Sequence, residues 1–119
     1  MEERFEPCPA SPNCVSSYAT DDLHAIEPLP IPRGPDPIDL LTSIVESFPR
    51  TKILSADDSY LHATFTSRVF RFVDDVEFRV DHEAGVVHVR SASRVGYGDM
   101  GVNRRRVEEI RARIEQDAP

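Results

Sequence analysis

From Phe70 to Asp81 apolar and polar side chains trade places with a two-residue period, the signature of a strand with one buried face. Phe70, Phe72, Asp74, Val76, Phe78 and Val80 fall on one side, and Arg71, Val73, Asp75, Glu77 and Arg79 on the other. Hydrophobicity makes the first set the core face, which leaves Asp74 as a carboxylate among phenylalanines. A buried charge is costly unless it is paired or hydrogen-bonded, so Asp74 must have partners. Residues 82–85 form a turn into a further strand over 86–95. If Asp81 opposes Val86, the antiparallel register sets Val80 against Val87, Phe78 against Val89, Val76 against Ser91 and Asp74 against Ser93. On the other face Glu77 then opposes Arg90, and Asp75 lies diagonally between Arg90 and Arg94.

Upstream, Asp36 is a good N-cap, Pro37 suits the first helical position and Asp39 complements the positive end of the dipole. Ile38, Leu41, Ile44, Val45 and Phe48 follow at three- and four-residue steps, and Pro49 stops the helix. Two alternating segments, 51–56 and 60–66, are joined by Asp57-Asp58-Ser59 and read as a hairpin. A last helix over 103–116 carries a narrow apolar stripe of Val107, Ile110 and Ile114. The expected fold is a two-layer α+β sandwich. It has a four-stranded antiparallel meander, one helix before and one after, both on the face bearing Phe65, Phe72, Val76 and Phe78. Residues 36–119 form that domain. Residues 1–35, which hold seven of the ten prolines, form an extended arm whose Leu23, Ile26, Leu29 and Ile31 pack it on the domain, giving a single domain overall.

Composition narrows the functional classes. With 21 acidic and 14 basic side chains the chain carries a net charge of -7, which disfavours nucleic acid and anionic membrane as general partners. No apolar run is long enough to span a bilayer, and the start has neither a basic nor an apolar export region, so a soluble cytoplasmic protein without membrane insertion is expected. Cys8 and Cys14 are the only cysteines. They admit a disulfide, two free thiols, or half of a metal site that would need two further ligands such as His24 or His62. No complete metal or cofactor signature is present.

The run from Arg90 to Arg106 holds five arginines, three glycines and two serines between a strand and a helix. Glycine-freed amides, a helix N-terminus and guanidinium forks all suit an anion. Gly96, Gly98 and Gly101 formally spell a dinucleotide fingerprint, but no parallel strand or ribose-binding acid follows the helix, so that reading fails. The strand register divides the run. Ser91 and Ser93 face the core beside Asp74, whereas Arg90 and Arg94 face Asp75 and Glu77 in what is either a salt-bridge ladder or a ladder with an arginine left for a ligand. Arg104, Arg105 and Arg106 crowd the positive end of the last helix and need compensation, from Asp99, Glu108 and Glu109, from the sheet, or from a bound anion.

Three ordered motifs carry a resemblance. They are Cys8-Pro9-x-Ser11-Pro12-Asn13-Cys14-Val15-Ser16-Ser17, then Phe72-Val73-Asp74-Asp75-Val76-Glu77-Phe78, and then Arg90-Ser91-Ala92-Ser93-Arg94-x-Gly96-Tyr97-x-Asp99-x-Gly101-x-Asn103-Arg104-x-Arg106. Together they resemble the domain of unknown function family 1499 over nearly the whole chain. The resemblance implies a complete family domain and no particular activity. It also implies that many relatives carry an N-terminal membrane or export segment, from which this chain departs.

Three functional readings follow. In the leading one the domain is a non-enzymatic module that binds a small anion or a partner's acidic group. Its ligand candidates are Arg90, Ser91, Ser93, Arg94, Gly98, Asp99, Gly101, Asn103 and Arg104, supported by Asp74, Asp75, Glu77, Asn13 and Ser16. In the second, Cys14 is the nucleophile of a small enzyme, although nothing in the sequence sets a base beside it. In the third the same polar residues form a purely structural network with a protein-interaction role.

Overall fold

The computed structural model describes residues 5–96 and 98–116. The first four positions of the arm, Tyr97 of the glycine-containing loop and the last three positions lie outside the described residues. In order, the elements are β1 (Cys14–Ser16), β2 (Leu29–Pro30), α1 (Pro37–Glu46), β3 (Thr51–Ala56), β4 (Tyr60–Thr66), β5 (Val73–Asp81), β6 (Val86–Ser93) and α2 (Val102–Gln116). The fold is α+β, with both helices on one face of an antiparallel sheet ordered β1-β6-β5-β4-β3, and with β2 also pairing to β6.

The expected four strands are present as the β3–β6 meander, and the derived β5–β6 register is the observed one from Asp81 opposite Val86 to Asp74 opposite Ser93. The strand count of four is corrected to six. Two short pieces of the arm pair with the outer edge of β6, Cys14, Val15 and Ser16 against Ala92, Ser91 and Arg90, and Leu29 and Pro30 against Val87 and Val86. An uncovered edge strand presents unpaired N–H and C=O groups, and these two strands cover it. Segments of two and three residues carry no detectable period, which is why the pattern did not announce them.

Helix α1 begins as its punctuation predicts, with the Asp36 carboxylate accepting from the Asp39 N–H at 3.2 Å and Pro37 at the first helical position. It buries Ile38, Leu41, Ile44 and Val45, and α2 buries Val107, Ile110 and Ile114. They meet Leu61, Ala63, Phe65, Val76, Phe78, Val87 and Val89 of the sheet, and the arm adds Val15, Ile26 and Leu29 to the same core.

One expectation about that core is overturned. The third expected strand begins at Val73, not Phe70, and Phe70 and Phe72 are 74% and 52% exposed. Their rings stack on each other at 5.6 Å instead of entering the core. Residues 67–72 form a closed loop in which Ser67 N–H donates to the Phe72 carbonyl and Phe72 N–H to Ser67 Oγ, both at 2.9 Å. Arg71 between them has φ 58°, so the extended period cannot run through it. Likewise β6 ends at Ser93, and Val95 is exposed.

Phe70→Ser and Phe72→Ser are therefore expected to change the unfolding free energy by less than about 1 kcal/mol each, against roughly 3–5 kcal/mol for Phe78→Ala. Urea denaturation checks this, and a loss of several kcal/mol at Phe72 would return that ring to the core.

Candidate functional site

The carboxylate of Asp74 is met beneath α2 by Arg106, whose Nη2 lies 2.9 Å from Asp74 Oδ2 with both side chains largely buried. Arg106 Nη1 also donates to Asn103 Oδ1 at 2.9 Å and to Ser91 Oγ at 3.3 Å. Asn103, fully buried, is the hub. Its Oδ1 accepts from Ser91 Oγ at 2.6 Å, and its Nδ2 shares two hydrogens among Asp99 Oδ2 at 2.8 Å, Ser93 Oγ at 3.0 Å and the Asn13 carbonyl at 3.2 Å. Asp99 in turn accepts the backbone N–H groups of Gly101 and Asn103. Burial pushes its carboxyl upward, but the Asn103 side chain and these amides outweigh that and hold it below the usual aspartate value. Asp99 is thus the anion at the start of α2.

The arm locks onto this cluster. Asn13 Nδ2 donates to the Gly96 carbonyl at 2.7 Å and Ser11 Oγ donates to Asn13 Oδ1 at 2.8 Å. Cys8 and Cys14 are joined in a disulfide, and Cys14 is fully buried, so its sulfur offers no thiolate. Ser16 faces away from the cluster and accepts the Tyr18 N–H. His24 is buried with Nδ1 2.6 Å from Asp21 Oδ2 and Nε2 2.9 Å from the Ser11 carbonyl. A carbonyl and a carboxylate both require a donor, so the ring is an imidazolium. The Ser11 carbonyl, reinforced by Asp21, raises the His24 pKa against the opposing effect of burial.

On the opposite face of the sheet, Arg94 forks onto Asp75, with Nε–Oδ2 2.8 Å and Nη2–Oδ1 3.0 Å, and His62 Nε2 lies 2.8 Å from Asp75 Oδ1. The Arg94 fork and then His62 hold the Asp75 carboxyl below its ordinary value. Glu77 accepts from Tyr60 Oη at 2.5 Å and lies 3.9 Å from Arg90 Nη1. Burial first, and Glu77 second, push the Tyr60 phenol well above its ordinary value. Arg104 donates to the carbonyls of Ala25 and Leu23. No group of three or more metal-ligating side chains occurs among the described residues.

Of the sequence candidates, Ser91, Ser93, Asp99 and Asn103 converge with Asp74 and Asn13 on one internal network. Arg90, Arg94, Asp75 and Glu77 share the opposite face. Gly98, Asp99, Gly101 and Arg104 line a cleft of about 370 Å³ with Pro12, Val15, Leu23 and Met100. Sequence reasoning missed Arg106 as the partner of Asp74 and His24 as the clamp on the arm. Helical phase carried the first signal, because Arg106 adjoins Val107 and lies one turn after Asn103 on the buried side. It also missed a second cleft, of about 390 Å³, at the same end of the sheet. Phe48, Pro49, Phe65 and Val102 supply its apolar lining and Arg50, Arg68, Arg105, Arg106 and Glu109 its charges. Arg50, Arg68 and Arg105 have no carboxylate partner among the described residues.

Together, fold and site define a small α+β domain whose polar motif residues bolt an N-terminal arm, a sheet edge and a terminal helix together. The chain belongs to the family described as protein of unknown function, DUF1499, whose model matches residues 4–114. No curated protein and no solved structure matches it.

Two outcomes follow from the network. Asn103→Ala takes the acceptor from the Ser91 hydroxyl and the side-chain donor from Ser93 Oγ and Asp99, and is expected to cost about 1–3 kcal/mol by chemical denaturation. A raised folded-state pKa means that His24 contributes its stability fully below its ordinary value of 6.5 and loses it as pH rises through the raised value. The stability gap between the protein and His24→Gln therefore narrows from pH 6 to alkaline pH, and a gap that widens with pH would contradict the imidazolium assignment.

Proposed function

We propose that the domain is a non-enzymatic module that binds an anionic group, either a small anion or a partner's acidic side chain, in the cleft between residues 67–68 and the start of α2. The observation that carries this reading is the charge of that cleft. Four guanidiniums line it against one carboxylate, Glu109, and only Arg106 is neutralised, by Asp74. The glycine-loop cleft sets one guanidinium, Arg104, against one carboxylate, Asp99. An anion gains Coulomb energy only where positive charge is left over, which favours the first cleft. Arg90 and Arg94 are drawn to Glu77 and Asp75, and Arg104 spends two donors on backbone carbonyls, whereas Arg50 and Arg105 each spend one, on the carbonyls of Thr66 and Met100. Phe48 and Phe65 give the cleft an aromatic wall beneath the arginines, suited to a ligand with a flat or apolar portion beside its charge.

The Cys8–Cys14 bond supports the non-enzymatic reading over a thiol nucleophile, and it favours an oxidising compartment over the cytoplasm expected from the sequence. No described helix is long and apolar enough to cross a membrane.

Titration calorimetry with sulfate, phosphate and nucleotides tests the reading. Arg68→Ala/Arg105→Ala is expected to weaken binding by about tenfold or more at unchanged stability, in line with the loss of two charge-assisted contacts. Arg94→Ala is expected to leave affinity intact. Loss of binding in Arg104→Ala with Arg68→Ala/Arg105→Ala unaffected would move the site to the glycine loop. No binding by any of these anions would leave the network purely structural.

A further inference from the structure

Of the eight large apolar side chains left in water among the described residues, all but Leu23 and Leu54 are gathered in one region. Val69, Phe70, Phe72, Val95, Met100 and Val102 are all exposed, Met100 by 90%. They occupy one end of the sheet. Thr66 opposes Val73 and Asp74 opposes Ser93, so residues 67–72 and 94–96 lie side by side, and Arg94 N–H donates to the Val73 carbonyl across that end. Asn103 ties the start of α2 to Ser93, and Thr66 N–H holds Arg50 there by donating to its carbonyl. The same end therefore carries Arg50, Arg68, Arg71 and Arg105, none with a carboxylate partner among the described residues. The three described non-glycine residues with positive φ, Arg50, Arg71 and Met100, are also here.

Carboxylates collect at the opposite end. Asp57 and Asp58 turn β3 into β4, Asp81 and Glu83 lie where β5 turns into β6, and Asp36 and Asp39 begin α1 beside them across a cleft shared with Asp57, Asp58 and His82. Asp36 is close enough to Asp39 to raise its pKa, as expected where like charges crowd. The net charge of -7 therefore conceals a molecule with a cationic, apolar tip and an acidic base.

We propose that the tip docks on the surface of an anionic lipid bilayer. This rests on the anion-binding reading and names the partner of that end of the molecule. The arginines meet lipid phosphates while Val69, Phe70, Phe72 and Met100 settle among the headgroups, without any segment crossing the bilayer. A bilayer fits better than a protein segment because the exposed apolar groups sit on separate loops around the cleft. A peptide in the cleft would leave Phe70, Phe72 and Met100 in water, whereas a broad surface meets them together. The overall acidity does not prevent this. The seven residues of β4 separate the two ends by about 20 Å, more than twice the Debye length of about 8 Å at physiological salt. At the docking surface the tip's charge dominates.

Vesicle co-sedimentation of the full chain provides the test. Binding is expected to phosphatidylcholine vesicles containing phosphatidylglycerol, not to phosphatidylcholine alone, and to fall with added salt. Phe70→Ser/Phe72→Ser is expected to reduce binding about tenfold or more, and Arg71→Asn, which suits the left-handed backbone, roughly fivefold. Neither change touches the cleft, so sulfate binding stays unchanged in both. Absence of vesicle binding with sulfate binding intact overturns the docking and leaves the cleft reading standing. Vesicle binding without any response to sulfate supports the docking and removes the cleft. Vesicle binding indifferent to both variants overturns the docking at this tip. Binding of a synthetic acidic amphipathic peptide in place of vesicles, lost in the same variants, overturns the lipid assignment in favour of a protein.

Discussion

A carboxylate on the apolar face of a sheet has to be answered, and the answer fixes how this domain is assembled. Asp74 lies one position from Val76 and two from Phe78 along the core face, and its side chain is largely buried. Arg106 supplies the counter-charge from α2, at 2.9 Å, and stacks on the Phe65 ring at 4.8 Å from its centroid. Removing one partner of such a pair strands the other charge and costs about 3–5 kcal/mol, whereas replacing both with apolar groups can be neutral. The pair is therefore better understood as fixing the rotation and height of α2 than as a net source of stability. Asn103, one turn earlier, extends that registration to β6 and the arm. Two of the three arginines at the positive end of the helix cease to be anomalous, because Arg106 belongs to Asp74 and Arg104 holds the arm's carbonyls, while Asp99 caps the amides and Arg105 reaches back only to the Met100 carbonyl.

The arm depends on the same constraint. Its Asn13 carbonyl receives both Asn103 Nδ2 and the Ser93 N–H, and the disulfide at Cys14 and the imidazolium at His24 hold the neighbouring chain in place. Edge coverage by β1 and β2 thus comes with several independent ties. That arrangement suits two strands too short to stay paired through backbone hydrogen bonds alone.

Much of this was legible in the amino-acid pattern where a local rule governs. Alternation with a tight turn gave the β5–β6 register residue by residue, and Asp36-Pro37 gave the start of α1. Legibility failed where three-dimensional placement decides. Alternation runs unbroken through Phe70 and Phe72, and it is the positive φ of Arg71, with the Ser67–Phe72 hydrogen bonds, that puts them in a loop. The partner of Asp74 was sought among the facing serines because they are strand neighbours, while the true counter-charge comes from a helix more than thirty residues later. The motif polar residues read equally as a ligand site or a buried network, because both draw on the same side chains. What separates them is whether each group already has a partner. The cationic tip was hidden in a different way, since Arg50, the Arg68–Arg71 loop and Arg105 of α2 are far apart in the chain and the net charge averages them against acids at the other end.

The central claim is that Asp74 and Arg106 answer each other's charge across the sheet and α2. A double-mutant cycle with Asp74→Leu and Arg106→Met, read by chemical denaturation, tests it most directly. The account predicts that each single change costs about 3–5 kcal/mol and that the double variant regains most of the loss, giving a coupling of several kcal/mol. Additive effects, or an Arg106→Met protein as stable as the original, would contradict it.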